Sequence, residues 1–219
     1  KRISPEAPVP VVEIENEFYR FGGAANVALN ISTLGGVPVP VGIIGYDSYG
    51  SIFTSLVKET KISAKGILID DSRPTTAKTR VIAQDQHVVR IDKESKEYLD
   101  QKTETRILAF IKRNIDSLDG IILQDYNKGV LTPSLIKNVI ELANKKNKLI
   151  TVDPKFNNFF EYKNVTVFKP NRKEAGDALG VRIKTDEEVI KAGNMLLEKL
   201  NAKYVLLTLG EGGIAVFEK

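Results

Sequence analysis

The stretch GIILQDYNKGVLTPSLIKNVIELANKKNKLITVD, residues 120–153, carries the pattern that decides the fold. An apolar run at Gly120–Gln124 is followed by apolar residues at helical spacing over Pro133–Lys145 and by a second apolar run at 149–152. Two buried strands joined by such a helix predict a parallel β-α-β unit. The alternation continues outward, with a helix at 98–117, a strand at 165–168, helices at 172–179 and 187–200, and a strand at 204–208. We therefore predict an α/β protein with a mostly parallel central sheet and helices on both faces.

The composition is that of one globular domain. The chain has 219 residues, 42% hydrophobic and 27% charged, which is enough for one sizeable core. It has no cysteine and one histidine, so disulfides, thiolate metal sites and multi-histidine metal sites are excluded. The apolar runs are short, and the first residues lack a secretory stretch. We expect a single domain over residues 1–219 that resides in the cytoplasm and has no membrane partner.

The charge pattern argues against nucleic acid as a partner. The net charge is +4, but basic residues alternate with acidic ones, as in Lys-Glu-Ser-Lys-Glu at 93–97. Such alternation is typical of a solvated surface rather than of a basic stripe. A small acidic or phosphorylated substrate remains compatible with the charge.

Two glycines mark a candidate ligand site in the first part of the chain. The sequence FGGAANVA at 21–28 places Gly22, Gly23 and Asn26 at the start of an apolar helical pattern. Because glycine has no Cβ, backbone N–H groups and the Asn26 amide can approach a polar ligand closely. The motif by itself does not identify that ligand.

A small β lid is expected beside the α/β body. Residues 9–18 alternate with period two and include β-branched side chains, which predicts a strand. Two further β-rich pieces, at 75–83 and 88–92, are joined by the polar residues 84–87 and predict a hairpin. The lid segments are therefore placed near 9–18 and 75–92.

Polar or glycine-rich residues follow each predicted strand of the body. These segments are Asp125-Tyr-Asn-Lys-Gly129, Asp153-Pro-Lys155, Lys169-Pro-Asn171 and Leu209-Gly-Glu-Gly-Gly213. In an open parallel sheet the carboxyl ends of the strands share one edge, where ligands bind. One cleft built from distant segments is predicted.

Each of these motifs also has a structural interpretation. The spacing from Asn171 to Glu174 fits a capping box, although its place at a strand end also suits a nucleotide and Mg²⁺. The run 208–213 fits a tight turn or a phosphate cradle. Lys128, Lys155 and Arg90 are each individually expected to be solvated, but their convergence on one edge suits a sugar phosphate. The sequence contains neither a P-loop motif nor a dinucleotide-binding glycine motif in the required context.

The ordered motifs resemble the ribokinase-like (PfkB) carbohydrate kinases over essentially the whole chain. They are Gly22-Gly23-x-x-Asn26-x-Ala28, Gly42-x-x-Gly45-x-Asp47-x-x-Gly50, Asp125-Tyr-x-Lys128-Gly129, Asp153-Pro-Lys155, Pro170-Asn171-x-x-Glu174 and Thr208-x-Gly210-x-x-Gly213. Within the family, RISPEAPVPV at 2–11, with Lys128 and Lys155, resembles the D-glycero-β-D-manno-heptose-7-phosphate kinase branch, the kinase half of bifunctional ADP-heptose synthases. This resemblance implies transfer of the ATP γ-phosphate to the anomeric C1 hydroxyl of heptose 7-phosphate, on the route to lipopolysaccharide cores.

The resemblance also implies two sets of site residues. The acceptor-side residues are Gly22, Gly23, Asn26, Arg90, Lys128, Asp153 and Lys155. The nucleotide-side residues are Asn171, Arg172, Lys173, Glu174, Thr208, Gly210, Gly212 and Gly213. The glycines and Asn26 would bind sugar hydroxyls. Lys128 and Lys155, together with Arg90, would bind the 7-phosphate. Glu174 would bind a Mg²⁺ ion through a water molecule. The implied cofactors are ATP and Mg²⁺, and the implied assembly is a homodimer formed through the lid.

Two parts of the family pattern do not occur in this sequence. The family's first strand with its sugar-binding aspartate would precede Lys1, and the Gly-Ala-Gly-Asp segment with the general base would follow Lys219. We therefore expect a kinase domain shortened at both ends, with a gap in its sheet and no catalytic base of its own. The alternatives are another sugar or nucleoside kinase of the family, or a non-catalytic sugar-binding fragment of the same fold.

Overall fold

A computed structural model describes residues 2–8, 10–60, 62–83 and 86–219. The helices are α1 (Gly23–Thr33), α2 (Ser48–Lys58), α3 (Gln101–Asn114), α4 (Pro133–Lys145), α5 (Arg172–Leu179) and α6 (Asp186–Leu200). The strands are β1 (Arg2–Ile3), β2 (Pro10–Val11), β3 (Val41–Gly45), β4 (Gly66–Asp70), β5 (Ala77–Ala83), β6 (Gln86–Lys93), β7 (Gly120–Gln124), β8 (Leu149–Asp153), β9 (Val167–Phe168), β10 (Tyr204–Thr208) and β11 (Ile214–Glu218). Short 3₁₀ turns lie at Ile115–Ser117, Phe156–Asn158 and Gly210–Gly212.

A five-stranded sheet in the order β11-β10-β9-β8-β7 forms the centre of the molecule. Strands β7 to β10 run parallel, with Ile121 opposite Ile150 and Val152 opposite Phe168, while β11 pairs antiparallel with β10. The prediction of a mostly parallel α/β sheet is therefore confirmed. The long α4 makes the crossover from β7 to β8, as a parallel pair requires.

Alternate residues of the central strands face opposite sides of the sheet. On one side Ile150 and Val152 are at most 1% exposed, and they pack with buried side chains of α4 and α6 in the main core cluster. On the other side Leu149 is 61% exposed and Ile122 is 47% exposed. The described residues thus bury one face of the sheet completely and the other in part.

The first part of the chain adds a smaller parallel pair, β3 with β4, in a register that places Ile43 opposite Leu68. The sequence prediction did not include these strands or the helix α2 between them. Among the described residues, β3 and β7 share no backbone hydrogen-bond ladder, so the two parallel units are separate sheets. Side chains of Val41, Ile43 and Leu68 nevertheless pack against the main core.

The lid segments differ from the prediction in two places. Residues 9–18 were predicted to be a strand, but only Pro10–Val11 pair there, with Arg2–Ile3; Val9 lies outside the described residues. Residues 12–18 make no ladder and are mostly exposed, because alternation alone forms no strand without a partner. The hairpin β5–β6 is present, but Gln86 and His87, assigned to its turn, belong to β6; Gln84 and Asp85 lie outside the described residues.

Within the described ranges, no helix combines the length and the apolar character needed to cross a bilayer. The longest, α6, has 15 residues and carries acidic residues in its first turn.

Candidate functional site

The loops that follow the central strands meet at one edge of the sheet. The Asp125 amide donates to the Asp153 carbonyl oxygen at 3.0 Å, which joins the loops after β7 and β8. Asn171 and Thr208 form a parallel bridge, and the Thr208 amide donates to the Pro170 carbonyl oxygen at 3.0 Å. Four segments that are distant in sequence therefore line one edge, as the strand-end pattern predicted.

The start of α5 carries four of the residues that were predicted for the nucleotide side. Asn171 Oδ1 accepts from the Glu174 amide at 2.8 Å, and Glu174 Oε2 accepts from the Asn171 amide at 2.9 Å, which completes a capping box. The remaining oxygen of Glu174 pairs with Lys155 from the loop after β8. The structural interpretation of this motif is correct, and the same residues also lie at the candidate site.

The charge of Lys155 is stabilised by its surroundings. Burial opposes the ammonium form, but the hydrogen bond and charge of Glu174, with smaller contributions from Asp153 and Tyr126, outweigh it and raise the Lys155 pKa. Lys155 was predicted for the acceptor side. Its pairing with Glu174 places it between the two predicted sets of residues.

The glycine run after β10 lies beside α5. Gly210 and Gly213 have φ angles of +65° and +83°, which side chains rarely adopt, so glycine is required by the backbone there. A Cβ at Gly212 would lie 3.5 Å from Arg172 Nη2, so this run and the start of α5 are neighbours. Lys173, in contrast to Arg172, has a side chain that is 83% exposed, and its Nζ pairs with Asp177 at 2.5 Å along the helix.

The glycine turn, which was predicted for the acceptor side, opens α1 without a side-chain cap. Gly22 is the N-cap residue, and Gly23 has a φ of +54°. A Cβ at Gly23 would lie 3.4 Å from the ring of Tyr126, so the loop after β7 covers this turn. Asn26 is exposed on the first turn. Uncapped N–H groups at a helix start suit hydroxyl or anionic ligands.

Asp153 and Lys128 are both held by neighbouring charged or polar side chains. Asp153 accepts from Lys169 Nζ at 2.9 Å and from Gln124 Nε2 at 2.6 Å. Lys128 forms an ion pair with Glu94, and only 21% and 13% of the two side chains are exposed. A phosphate that binds Lys128 therefore competes with Glu94 or shares the lysine with it.

Arg90 lies on the hairpin, away from these contacts. Its side chain is 60% exposed, and its Nε pairs with Asp92 at 3.1 Å. This pairing helps to lower the Asp92 pKa against the opposing effect of burial. The described contacts do not join Arg90 to the strand-end loops.

Asp47 connects the hairpin to the β3–β4 unit. It caps α2 by accepting from the Gly50 amide at 2.9 Å, and its other oxygen accepts from the Thr75 amide at 3.1 Å and Lys93 Nζ at 3.2 Å. Burial acts to raise the Asp47 pKa, but hydrogen bonds from Thr75, Gly50 and Lys93 overcome it and lower the pKa to about 2. The family motif contains Asp47, but the sequence analysis assigned it no role. Asp47 lies three residues before Gly50, at the start of an apolar helical pattern. This spacing is an N-cap signal from which α2 could have been predicted.

The charged run at 93–97 was expected to be a solvated surface, but three of its residues contact side chains from distant parts of the chain. Lys93 pairs with Asp47, Glu94 pairs with Lys128, and Ser95 accepts from Arg73 at 3.1 Å. Local sequence gives no signal for these contacts, because each partner lies more than 20 residues away in sequence. The sequence analysis also did not predict that the ring of Tyr126 lies against the glycine turn at Gly23.

The surroundings of the Glu174 carboxylate fit a contact with Mg²⁺ through a water molecule. Both carboxylate oxygens already accept hydrogen bonds, and no group of three or more metal-binding residues occurs among the described residues. Mg²⁺ keeps several water ligands and takes others from substrate phosphates. Glu174 would hold such a water, and the ion would neutralise phosphate charge.

A family model described as pfkB family carbohydrate kinase matches residues 2–219 of the chain. The chain belongs to the pfkB family of carbohydrate kinases. This confirms the resemblance that the ordered motifs indicated.

Two curated relatives with 41% to 44% identity cover all or nearly all of the chain. It is 44% identical over 219 residues to bifunctional protein HldE of Helicobacter pylori strain J99, covering 100% of this chain and 47% of that protein. It is 41% identical over 217 residues to bifunctional protein HldE of Geobacter sulfurreducens, covering 99% of this chain and 44% of that protein. The chain thus spans about half the length of these relatives.

Solved structures share the fold at low identity. Phosphofructokinase-2 from Escherichia coli in complex with fructose-6-phosphate is 18% identical, with a TM-score of 0.70 and coverage of 90% of this chain and 65% of that one. Arabidopsis thaliana ribokinase complexed with ribose and ATP is 20% identical, with a TM-score of 0.67 and coverage of 89% and 62%. These likenesses confirm the ribokinase-like fold.

Proposed function

We propose that the protein transfers the γ-phosphoryl group of ATP to the anomeric C1 hydroxyl of D-glycero-β-D-manno-heptose 7-phosphate. The motif resemblance supplies the acceptor, and 44% identity over the full chain with a bifunctional protein HldE is the observation that carries the proposal. We include in this proposal that the reaction requires ATP and Mg²⁺.

The proposed acceptor site lies between the glycine turn and the loops after β7 and β8. Uncapped amides of α1 and the Asn26 side chain would bind sugar hydroxyls. Lys128 and Lys155 would bind the 7-phosphate, each exchanging or sharing its present carboxylate partner. The Tyr126 ring against Gly23 would form a wall between the hydroxyl and phosphate ends of the acceptor.

The proposed nucleotide site lies at the start of α5 and the glycine run after β10. The positive end of α5 and the amides of 210–213 would face the ATP phosphates. Glu174 would hold a Mg²⁺-bound water, and Lys155 beside it would lie where donor and acceptor phosphates approach. The residues of this chain would act by binding and orienting both substrates, which is the main contribution of a protein to phosphoryl transfer.

The acceptor is tested in the full-length protein by measuring ADP release with heptose 7-phosphate, with an unphosphorylated hexose and with a nucleoside. We expect Mg²⁺-dependent ADP release with the heptose phosphate alone. Activity only with the hexose or the nucleoside would reject the heptose assignment and leave the family intact.

The role of Lys155 is tested by Lys155→Ala, with the exposed Lys163→Ala as the control. Loss of a phosphate contact should raise the KM for the phosphosugar about tenfold or more and the KM for ATP far less. Equal increases in both KM values would count against this role, and a selective rise in the KM for ATP would assign Lys155 to the nucleotide side with Glu174.

We also propose that residues 1–219 form one kinase domain whose hairpin, with the segment near 9–18, acts as a lid and pairs two subunits. Ile82, Val89 and Ile91 of the hairpin are 46% to 56% exposed, which supports burial of this surface in a dimer. Light scattering should give twice the subunit mass for the wild type and a smaller mass for Ile91→Lys. A monomeric wild type would contradict the dimer.

A further inference from the structure

Arg73 joins three segments at the base of the hairpin. It lies between β4 and β5, and its Nη2 donates to Ser95 Oγ at 3.1 Å, the Glu97 carbonyl oxygen at 2.7 Å and the Lys128 carbonyl oxygen at 3.2 Å. The last contact spans 55 residues of sequence. One guanidinium therefore connects both ends of the hairpin to the loop after β7.

The segment after the hairpin, residues 94–98, packs directly on that loop. The Leu99 amide donates to the Gly129 carbonyl oxygen at 3.1 Å. Gly129 has a φ of +74°, and a Cβ there would overlap the Glu97 carbonyl oxygen. This close backbone approach leaves the loop little room to move while the segment stays in place.

The same segment holds the Lys128 side chain. Glu94 pairs with Lys128, and the pair is mostly shielded from solvent, so its attraction is screened less than that of a surface pair. Lys128 is thus fixed at its carbonyl by Arg73 and at its ammonium by Glu94. Both fixing groups belong to the ends of the hairpin.

We propose that Arg73 is a positioning residue for Lys128, which couples the hairpin to the acceptor-phosphate site. All three contacts are made by Nη2, so one terminal nitrogen of this long cationic side chain reaches acceptors in both segments at once. The proposal rests on the proposed function for the identity of the acceptor. The contact between Arg73 and the Lys128 loop does not depend on that identity.

Kinetics of the full-length protein test the coupling with Arg73→Met, Arg73→Lys and the exposed Arg113→Met as a control. We expect Arg73→Met to raise the KM for the phosphosugar about tenfold, with the KM for ATP changed less than about twofold. Arg73→Lys should give an intermediate KM, since it keeps the charge but not the reach and donor geometry of Nη2. Equal losses for both substrates would overturn the proposal.

A double-mutant cycle tests whether Arg73 acts through Lys128. In a Lys128→Ala background, Arg73→Met should change the KM for the phosphosugar by less than about twofold. A full additional increase in that background would show that Arg73 acts independently of Lys128, contrary to the proposal.

Chemical labelling separates this inference from the proposed function. Acetylation of Lys128 by an N-hydroxysuccinimide ester, measured by mass spectrometry relative to the exposed Lys137, should rise severalfold in Arg73→Met. Unchanged Lys128 labelling in a folded Arg73→Met protein would overturn the proposal whatever the kinetics show. Increased labelling in a protein that does not phosphorylate heptose 7-phosphate would retain the positioning role and reject the acceptor.

Discussion

Residues 99–218 and residues 2–98 are held together by different forces. Every buried residue of the main core cluster lies in the later part of the chain, between Leu99 and Leu207. Among the described residues of the earlier part, the buried apolar side chains are Ala28, Pro38, Ile44, Val57 and Ile62. Polar contacts around Asp47 and Arg73 connect that part instead. The comparison indicates that hydrophobic burial stabilises the later part of the chain, and that hydrogen bonds and ion pairs organise much of the earlier part.

The largest expected effect is on the free energy of unfolding, when one isoleucine in each part of the chain is replaced by alanine. Ile150 in β8 is 0% exposed, whereas Ile69 in β4 is 56% exposed. Ile150→Ala should lower the free energy of unfolding by about 3 kcal/mol, from lost burial and the cavity left behind. Ile69→Ala should lower it by less than about 1 kcal/mol. Urea unfolding measures both, and similar losses would contradict the comparison.

An intermediate effect is expected at Asp47, where folding lowers the pKa from 3.8 to about 2. The lowered pKa means that the carboxylate stabilises the folded state above about pH 4, and that this stabilisation is lost as the pH falls towards 2. Asp47→Asn should therefore cost about 2 kcal/mol at pH 7 and nothing below both pKa values.

Hydrogen exchange at the amides of Gly45 and Thr75 measures this loss locally. Protection at pH 7 should fall in Asp47→Asn, while the exposed Asp71→Asn serves as the control. Unchanged protection in Asp47→Asn would show that the polar network does not hold the hairpin.

The smallest effect is expected at Lys173, which the sequence analysis assigned to the nucleotide side. Its side chain is 83% exposed and makes an i,i+4 pair with Asp177. Lys173→Ala should change stability by less than about 0.5 kcal/mol and the KM for ATP by less than about twofold. A tenfold rise in that KM would show that Lys173 turns towards ATP and restore its predicted role.

The sequence predicted the later part of the chain well because its signals are local. The bounds of α4, α5 and β10 agree with the prediction, since Pro133, the Asn171 capping box and the end of an apolar run mark them within a few residues. The predicted cleft followed from the same strand ends. The assigned roles of the site residues remain predictions.

Local signals were weaker in the earlier part. The alternation at 9–18 predicted a strand that does not form beyond Pro10–Val11, because strand pairing requires a partner that a pattern cannot supply. Strands β3 and β4 and helix α2 were missed, although Asp47 carries a cap signal for α2. The charged run at 93–97 gave no indication of its contacts with Asp47, Arg73 and Lys128.

The α/β class, the strand-end cleft and the family could be predicted from the amino-acid sequence, because periodicity, caps and ordered motifs lie within short stretches of chain. The pairing of Lys128 with Glu94, of Lys155 with Glu174 and of Arg73 with the loop after β7 became known only from the folded structure. Those partners lie 19 to 55 residues apart, and packing of the whole chain selects among many charged candidates of similar chemistry. An ion pair between distant residues has no local signature, because its energy depends on distance and burial that the fold alone sets.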